Sequence, residues 1–147
     1  MFLPVKWSLK YLKYQDKMAS IFSRIINGEI PCHKIAENEH FLAFLDIMPL
    51  AQGHVLVIPK NEIDYIFDIE NEEYKALWGF AQYVAKAIKK SVPCKKVGVA
   101  VVGLEVPHAH IHLVPINNVE DMNFSKPKLK PSQEELAETA EKIKQNL

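Results

Sequence analysis

The stretch Val106-Pro107-His108-Ala109-His110-Ile111-His112-Leu113-Val114-Pro115 sets three histidines in strict alternation with Ala109, Ile111 and Leu113. Side chains of an extended strand alternate between its two faces, so three imidazoles share one face and three apolar groups the other. Neighbouring histidines then stand roughly 6.6–7 Å apart along the backbone, and their rings can converge on one small ligand. Protonating all three would crowd like charges, so some of them stay neutral near pH 7. A neutral imidazole nitrogen is a nucleophile, a base or a metal ligand. Two chemistries therefore compete: two or three of the rings hold zinc, or the middle ring attacks phosphorus while its neighbours bind oxygens or fix its tautomer.

Other elements must carry this strand. Ser20-Ile-Phe-Ser-Arg-Ile-Ile-Asn-Gly28 predicts a short helix, with Ser20 as its cap, Phe22, Ile25 and Ile26 on one face, and Gly28 where a helix ends. Residues 33–37 and Phe41–Ile47 read as strands, the second placing Phe44 and Asp46 on one face. The loop Met48–Gly53 leads into a buried strand, His54–Pro59. A long helix is expected over about 72–91, with Leu77, Phe80, Ala81, Val84, Ala87 and Ile88 as its apolar stripe and Pro93 as its stop. Strands follow at Lys96–Val102 and Ala109–Ile116. Residues 117–131 read as irregular, with Lys126, Lys128 and Lys130 as a solvated tail or, alternatively, a phosphate contact reaching in from a partner chain. Ser132-Gln-Glu-Glu135 forms a capping box ahead of Leu136, Ala140, Ile143 and Leu147, which predicts a terminal helix. Strands in runs rather than in strict alternation with helices favour an α+β fold with an antiparallel sheet.

The bulk properties limit the partners. A chain of 147 residues suits one core of ordinary size. Formal net charge is zero, so no global field draws nucleic acid or an anionic membrane, and an anionic ligand must rely on local donors. No apolar run approaches the roughly 20 residues of a membrane span. Two distant cysteines, Cys32 and Cys94, suggest a reducing, cytoplasmic setting rather than a disulfide framework. Residues 1–18 carry Lys6, Lys10, Lys13 and Lys17, which interrupt every stretch that a secretory signal would need. They are set aside as an N-terminal extension or an upstream start; 19–127 forms the principal domain and 128–147 a helical tail. His33 and His40 receive no role.

Pro-His-Ala-His-Ile-His-Leu-Val-Pro resembles the signature of the histidine-triad (HIT) family, His-φ-His-φ-His-φ-φ. The opening Ile21–Pro31, the stretch Phe41–Asp46, Pro49, Gly53-His54 and Leu56–Lys60 extend the resemblance from about Ser20 to Pro115, and it is nearest the Hint branch. The resemblance implies a five-stranded antiparallel sheet with one long helix, a short N-terminal helix and a C-terminal helix. It also implies a nucleoside pocket in which Phe22, Ile25, Ile30 and Phe44 sandwich the base while Asp46 holds the ribose hydroxyls. Ordinary core packing is the competing reading of the apolar members, and a turn at a strand end that of Asp46. His110 stands at the position of the nucleophile; His112 and His54 resemble residues that contact phosphate oxygens and the leaving group, and His108 supports the tautomer of His110.

The implied function is hydrolysis or transfer at the α-phosphate of a purine nucleotide conjugate, an AMP phoshoramidate by preference, through a nucleotidyl-histidine. Dinucleoside polyphosphate hydrolysis and nucleotide binding without turnover are the alternatives. No cofactor and no metal are implied. A homodimer is, joined through the long helix and an edge strand, with Leu77, Trp78 and Val84 as interface candidates. Two departures stand out. The loop before the triad, Val101-Val-Gly-Leu-Glu-Val-Pro107, is shorter than in Hint-like relatives by about six residues, and Glu105 replaces a hydroxyl residue. Ser20 and Ser23 occupy the positions where some relatives carry a zinc-binding Cys-x-x-Cys.

Overall fold

The computed structural model describes residues 19–147; the N-terminal extension read at 1–18 lies outside them. Helix α1 spans Ile21–Ile26, and the Ser20 side chain accepts the Ser23 N–H at its start. Gly28 follows with φ +79°, a left-handed conformation that glycine adopts without cost. Strands β1 (Lys34–Glu37), β2 (Phe41–Leu45) and β3 (Val55–Pro59) come next. Helix α2 (Asn71–Ser91) then leads to β4 (Lys96–Ala100) and β5 (Ile111–Ile116), and α3 (Gln133–Lys144) ends the chain. Glu70 caps α2 by accepting from the Glu72 and Glu73 amides, and the expected Ser132–Glu135 box caps α3 from both directions.

The five strands form one antiparallel sheet in the order β1-β2-β3-β5-β4. Its two faces divide the labour. Phe41, Ala43, Leu45, Val55, Val57, Ile111 and Leu113 face the main core, where Leu77, Ala81, Val84, Ala87 and Ile88 of α2 cover them. Leu77 and Val84 are fully buried there, so of the three interface candidates they belong to the protomer's own core. Leu136, Ala140 and Ile143 of α3 join the same cluster, which makes the terminal helix part of the fold's foundation. The opposite face carries Leu42, Phe44, Leu56 and Ile58 under Phe22. Across it Phe44 pairs with Leu56, Leu56 with His112, and His112 with Ala100, so the third histidine of the triad extends the row of the apolar cluster.

One strand differs from expectation. β5 begins at Ile111, so only His112 lies within the ladder; His108 and His110 belong to the segment that enters it. That segment is anchored elsewhere, by the Ala109 N–H donating to Ile63 O at 2.7 Å. The two histidines thereby escape the flat pleat and are aimed by their own hydrogen bonds. The irregular stretch after β5 holds a short 3₁₀ turn at Val119–Met122. Gly53 sets the entry to β3: its φ is +88°, and a Cβ there would stand 2.8 Å from Val92 Cγ2. The residue it delivers is His54. No helix among the described residues is long and apolar enough to cross a membrane.

Candidate active site

The four histidines expected to act together are gathered on the face opposite α2. All are buried, His54 and His108 almost completely, although a histidine is usually a partly exposed residue. Buried imidazoles need partners, and those partners fix where each proton resides.

His110 Nδ1 lies 2.7 Å from the carbonyl oxygen of His108. A carbonyl only accepts, so Nδ1 carries the proton and donates it, and the lone pair of the neutral ring is left on Nε2. His108 itself is held on both sides. Its Nε2–H donates to Pro59 O at 2.8 Å, which leaves Nδ1 to accept the Ser20 hydroxyl, also at 2.8 Å. Burial keeps the pKa of His108 below its ordinary value, against the opposing pull of the Pro59 carbonyl and Glu62. The support expected of His108 toward His110 thus runs through its backbone, while its side chain ties the segment to β3 and to the start of α1.

Ser20 and Ser23, which replace the two cysteines of some relatives, serve that tie. The Ser20 N–H and the Ser23 hydroxyl both donate to Glu62 Oε1, at 2.5 and 2.9 Å. Two hydroxyls and the Glu62 carboxylate here form a hydrogen-bonded clamp on His108 in place of the thiolate pair that suits zinc.

A second chain of bonds runs through His54 and His112. The Leu50 N–H donates to His54 Nδ1 at 3.0 Å, so the proton of His54 sits on Nε2, which donates to His112 Nδ1 at 2.9 Å. His112 must then carry its own proton on Nε2, turned toward the open side of the face. Burial, reinforced by the positive charges of neighbouring groups, pushes the pKa of His54 down to about 3 and that of His112 to about 4. Both rings are neutral near pH 7. The arrangement therefore offers one imidazole lone pair, on His110, beside one imidazole N–H, on His112, their ring centres 4.9 Å apart.

Asp46 makes the contact of its turn reading. Its Oδ1 accepts the Met48 N–H at 2.9 Å, as a turn residue does, and its Oδ2 stands 3.7 Å from His54 Nε2. Burial raises its pKa, partly offset by the Met48 amide and by the proximity of the His110 ring and the Lys128 ammonium. A cavity of about 500 Å³ opens beside Asp46 and His54, walled by Gly53, Leu129 and Thr139. Ligand atoms of Asp46, His54 and His112 lie within 4.8 Å of one another, the spacing of a metal cluster. As hydrogen-bonded, however, His54 presents a proton rather than a lone pair at Nε2, because Leu50 occupies its other nitrogen.

Of the four apolar residues named for the base, Phe22, Phe44 and Ile25 belong to one cluster. Phe22 meets Phe44 edge to face at 5.7 Å and His110 at 4.9 Å, so it touches both the apolar row and the ring with the free lone pair. Ile25 packs against the same cluster, along with Ile26 and Val106; Ile30 is only half-buried and lies outside it. Glu105 is exposed and makes no hydrogen bond among the described residues.

Two residues were not anticipated. Phe124 sets its ring edge-on to His112 at 4.8 Å, and Lys128 bonds back to the Phe124 carbonyl with its ammonium 5.6 Å from the Phe124 ring centre. Lys126 and Lys130 are exposed as a solvated tail would be, whereas Lys128 is half-buried and the stretch packs against His112 through Phe124. The Leu129 N–H donates to Pro49 O at 2.9 Å. No periodicity marks such a segment.

Comparison with known proteins agrees with this geometry. Residues 27–119 match the model of the HIT domain. The chain is 34% identical over 128 residues to the adenosine 5′-monophosphoramidase of Schizosaccharomyces pombe, covering 86% of this chain and 96% of that protein. It is 41% identical over 106 residues to an uncharacterized HIT-like protein of Methanocaldococcus jannaschii, covering 65% of this chain and 77% of the other. Among solved structures, a Hit-like protein from Bartonella henselae superposes with a TM-score of 0.76 at 32% identity, over 87% of this chain and 96% of that one. Three alternating histidines leading into the fifth strand of an antiparallel sheet, and a matching domain model across most of the chain, make this protein a member of the HIT family.

Proposed function

We propose that this protein is a nucleotide hydrolase or transferase that cleaves at the α-phosphate of a purine nucleotide conjugate, with His110 as the transiently nucleotidylated residue. The observation that carries the reading is the bond from His110 Nδ1 to the His108 carbonyl, because it leaves Nε2 with an unshared pair in the buried centre of the site. That pair attacks phosphorus. A nitrogen–phosphorus bond forms as the bond to the leaving group breaks, and the leaving group departs with the electron pair. The ring gains positive charge, which the His108 carbonyl already faces. Water then attacks the same phosphorus, the mononucleotide leaves, and the electron pair returns to Nε2.

His112 Nε2–H supplies a donor for a phosphate oxygen as charge builds there; a single well-placed donor of this kind contributes about 2.7–4 kcal/mol. His54 holds His112 in the donating tautomer. Phe22, Phe44 and Ile25 form the apolar cluster on which a base would pack, and Asp46 supplies a carboxylate for ribose hydroxyls. The adenine preference and the phosphoramidate class rest on the name of the Schizosaccharomyces pombe relative.

We further infer a homodimer, formed through β4. This strand ends the sheet, and Val99 and Val102 beside its free edge are half exposed, a combination that favours pairing with a second copy. The two free cysteines fit a reducing compartment such as the cytoplasm.

Steady-state hydrolysis of adenosine phosphoramidate beside diadenosine polyphosphates tests the reading. Faster turnover of the phosphoramidate, lost in His110→Ala, is expected. Preference for the polyphosphates would move the assignment to their hydrolysis, and equally slow release by both proteins would mark a binding module.

A further inference from the structure

The catalytic face has an anion to receive and few cations to meet it. His54 and His112 are neutral for the reasons given above, the pre-triad loop is short, and Glu105 is an exposed carboxylate. A substrate phosphate needs charge from another source. The segment that crosses the site supplies it. Phe124 packs on His112, the Leu129 amide is pinned to Pro49, and Lys128 is held between these two anchors. Its ammonium donates to the carbonyls of Phe124 and Lys126, and it lies 5.6 Å from the Phe124 ring centre. It can be no farther from the His112 ring than this distance added to the 4.8 Å between the two rings. Two of its three protons are engaged, and no carboxylate among the described residues forms an ion pair with it, whereas Lys126 is paired with Glu120. Fixing a lysine on backbone carbonyls beside neutral histidines, with a donor to spare, costs side-chain entropy that no internal ion pair returns.

We propose that Lys128 is a specificity-determining residue, which pairs with the phosphate charge of a nucleoside 5′-phosphate lying between Asp46 and His112. Residues 117–131 are then a strap that completes the site from within the same chain and takes over work that the shortened pre-triad loop cannot do. This inference rests on the nucleotide reading of the site, and it deepens that reading by assigning the ligand's anionic group a partner.

Isothermal titration of the full chain with AMP and with adenosine tests it, because the two ligands differ only in the phosphate. In Lys128→Met, AMP affinity falls about tenfold, the scale of one charge-assisted hydrogen bond, while adenosine affinity is unchanged. Lys128→Arg retains AMP binding within about threefold, because the charge persists. In the wild-type protein AMP affinity weakens as salt is raised, and this dependence flattens in Lys128→Met. Unchanged AMP affinity in Lys128→Met, or equal loss of AMP and adenosine, would overturn the proposal and leave the strap a purely structural role. Should Lys128→Met not fold, salt-independent AMP binding by the wild type would overturn it as well. If the wild-type protein bound neither ligand, the nucleotide reading itself would fall, a result distinct from any change confined to Lys128.

Discussion

His54 donates through Nε2 to Nδ1 of His112 across 2.9 Å, and the direction of that bond is imposed by the amide of Leu50 on the far side of His54. A loop amide thus determines, through two rings, that the outward nitrogen of His112 is a donor. Removing the first ring frees the second to adopt either tautomer. His54→Ala is expected to lower kcat by roughly 10²–10³, the range for losing one aligned donor to a developing charge. His112→Ala should cost a similar factor, and the double variant little more than either single one, since both remove the same donor. Single-turnover kinetics of the three variants check this.

The same two rings make folding pH-dependent. Their pKa values are depressed in the folded protein, to about 3 and about 4, from an unfolded value near 6.5. Folding therefore keeps them neutral where the unfolded chain takes up protons. Their contribution to stability is complete above about pH 6.5 and is lost as pH falls toward 4. Urea denaturation at pH 7, 6, 5 and 4 should show a falling midpoint, and the fall should be shallower in His54→Gln.

Ser20 joins three elements: it caps α1 through the Ser23 amide, and its hydroxyl satisfies the buried Nδ1 of His108. Ser20→Ala removes a cap and strands a buried acceptor, at an expected cost of about 1–3 kcal/mol in denaturant titration. His110 keeps its bond to the His108 carbonyl, so the activity of the folded fraction should change much less than its stability.

Asp46 faces His54 from the end of β2, on the same side of the sheet as Phe44. If its carboxylate receives ribose hydroxyls, Asp46→Ala will raise KM for a ribonucleotide substrate and reduce its advantage over the 2′-deoxy analogue, with a smaller effect on kcat. An equal rise in KM for both sugars would assign Asp46 to the Met48 turn alone.

Alternating histidines are legible in a sequence because a strand has period two, and the period survives even though β5 begins only at Ile111. The apolar stripe of α2 and the capping box of α3 are legible for the same reason: their signals are local. What escaped was made by contacts across the chain. Ser20 and His108 are separated by 88 residues, and Phe124 reaches His112 from an aperiodic segment. The strand boundary itself shifted because the backbone of this segment bonds outside the ladder, His108 N–H to Val106 O and Ala109 N–H to Ile63 O, while the His108 carbonyl accepts from the His110 ring.

All of this chemistry depends on the lone pair at His110 Nε2. Mass spectrometry of enzyme quenched within milliseconds of mixing with adenosine phosphoramidate tests it directly. A nucleotidyl adduct on the peptide containing His110, absent from His110→Ala, whose turnover should fall by roughly four orders of magnitude or more, is the predicted result. Mononucleotide release without any adduct, at a rate that His110→Ala retains, would contradict it.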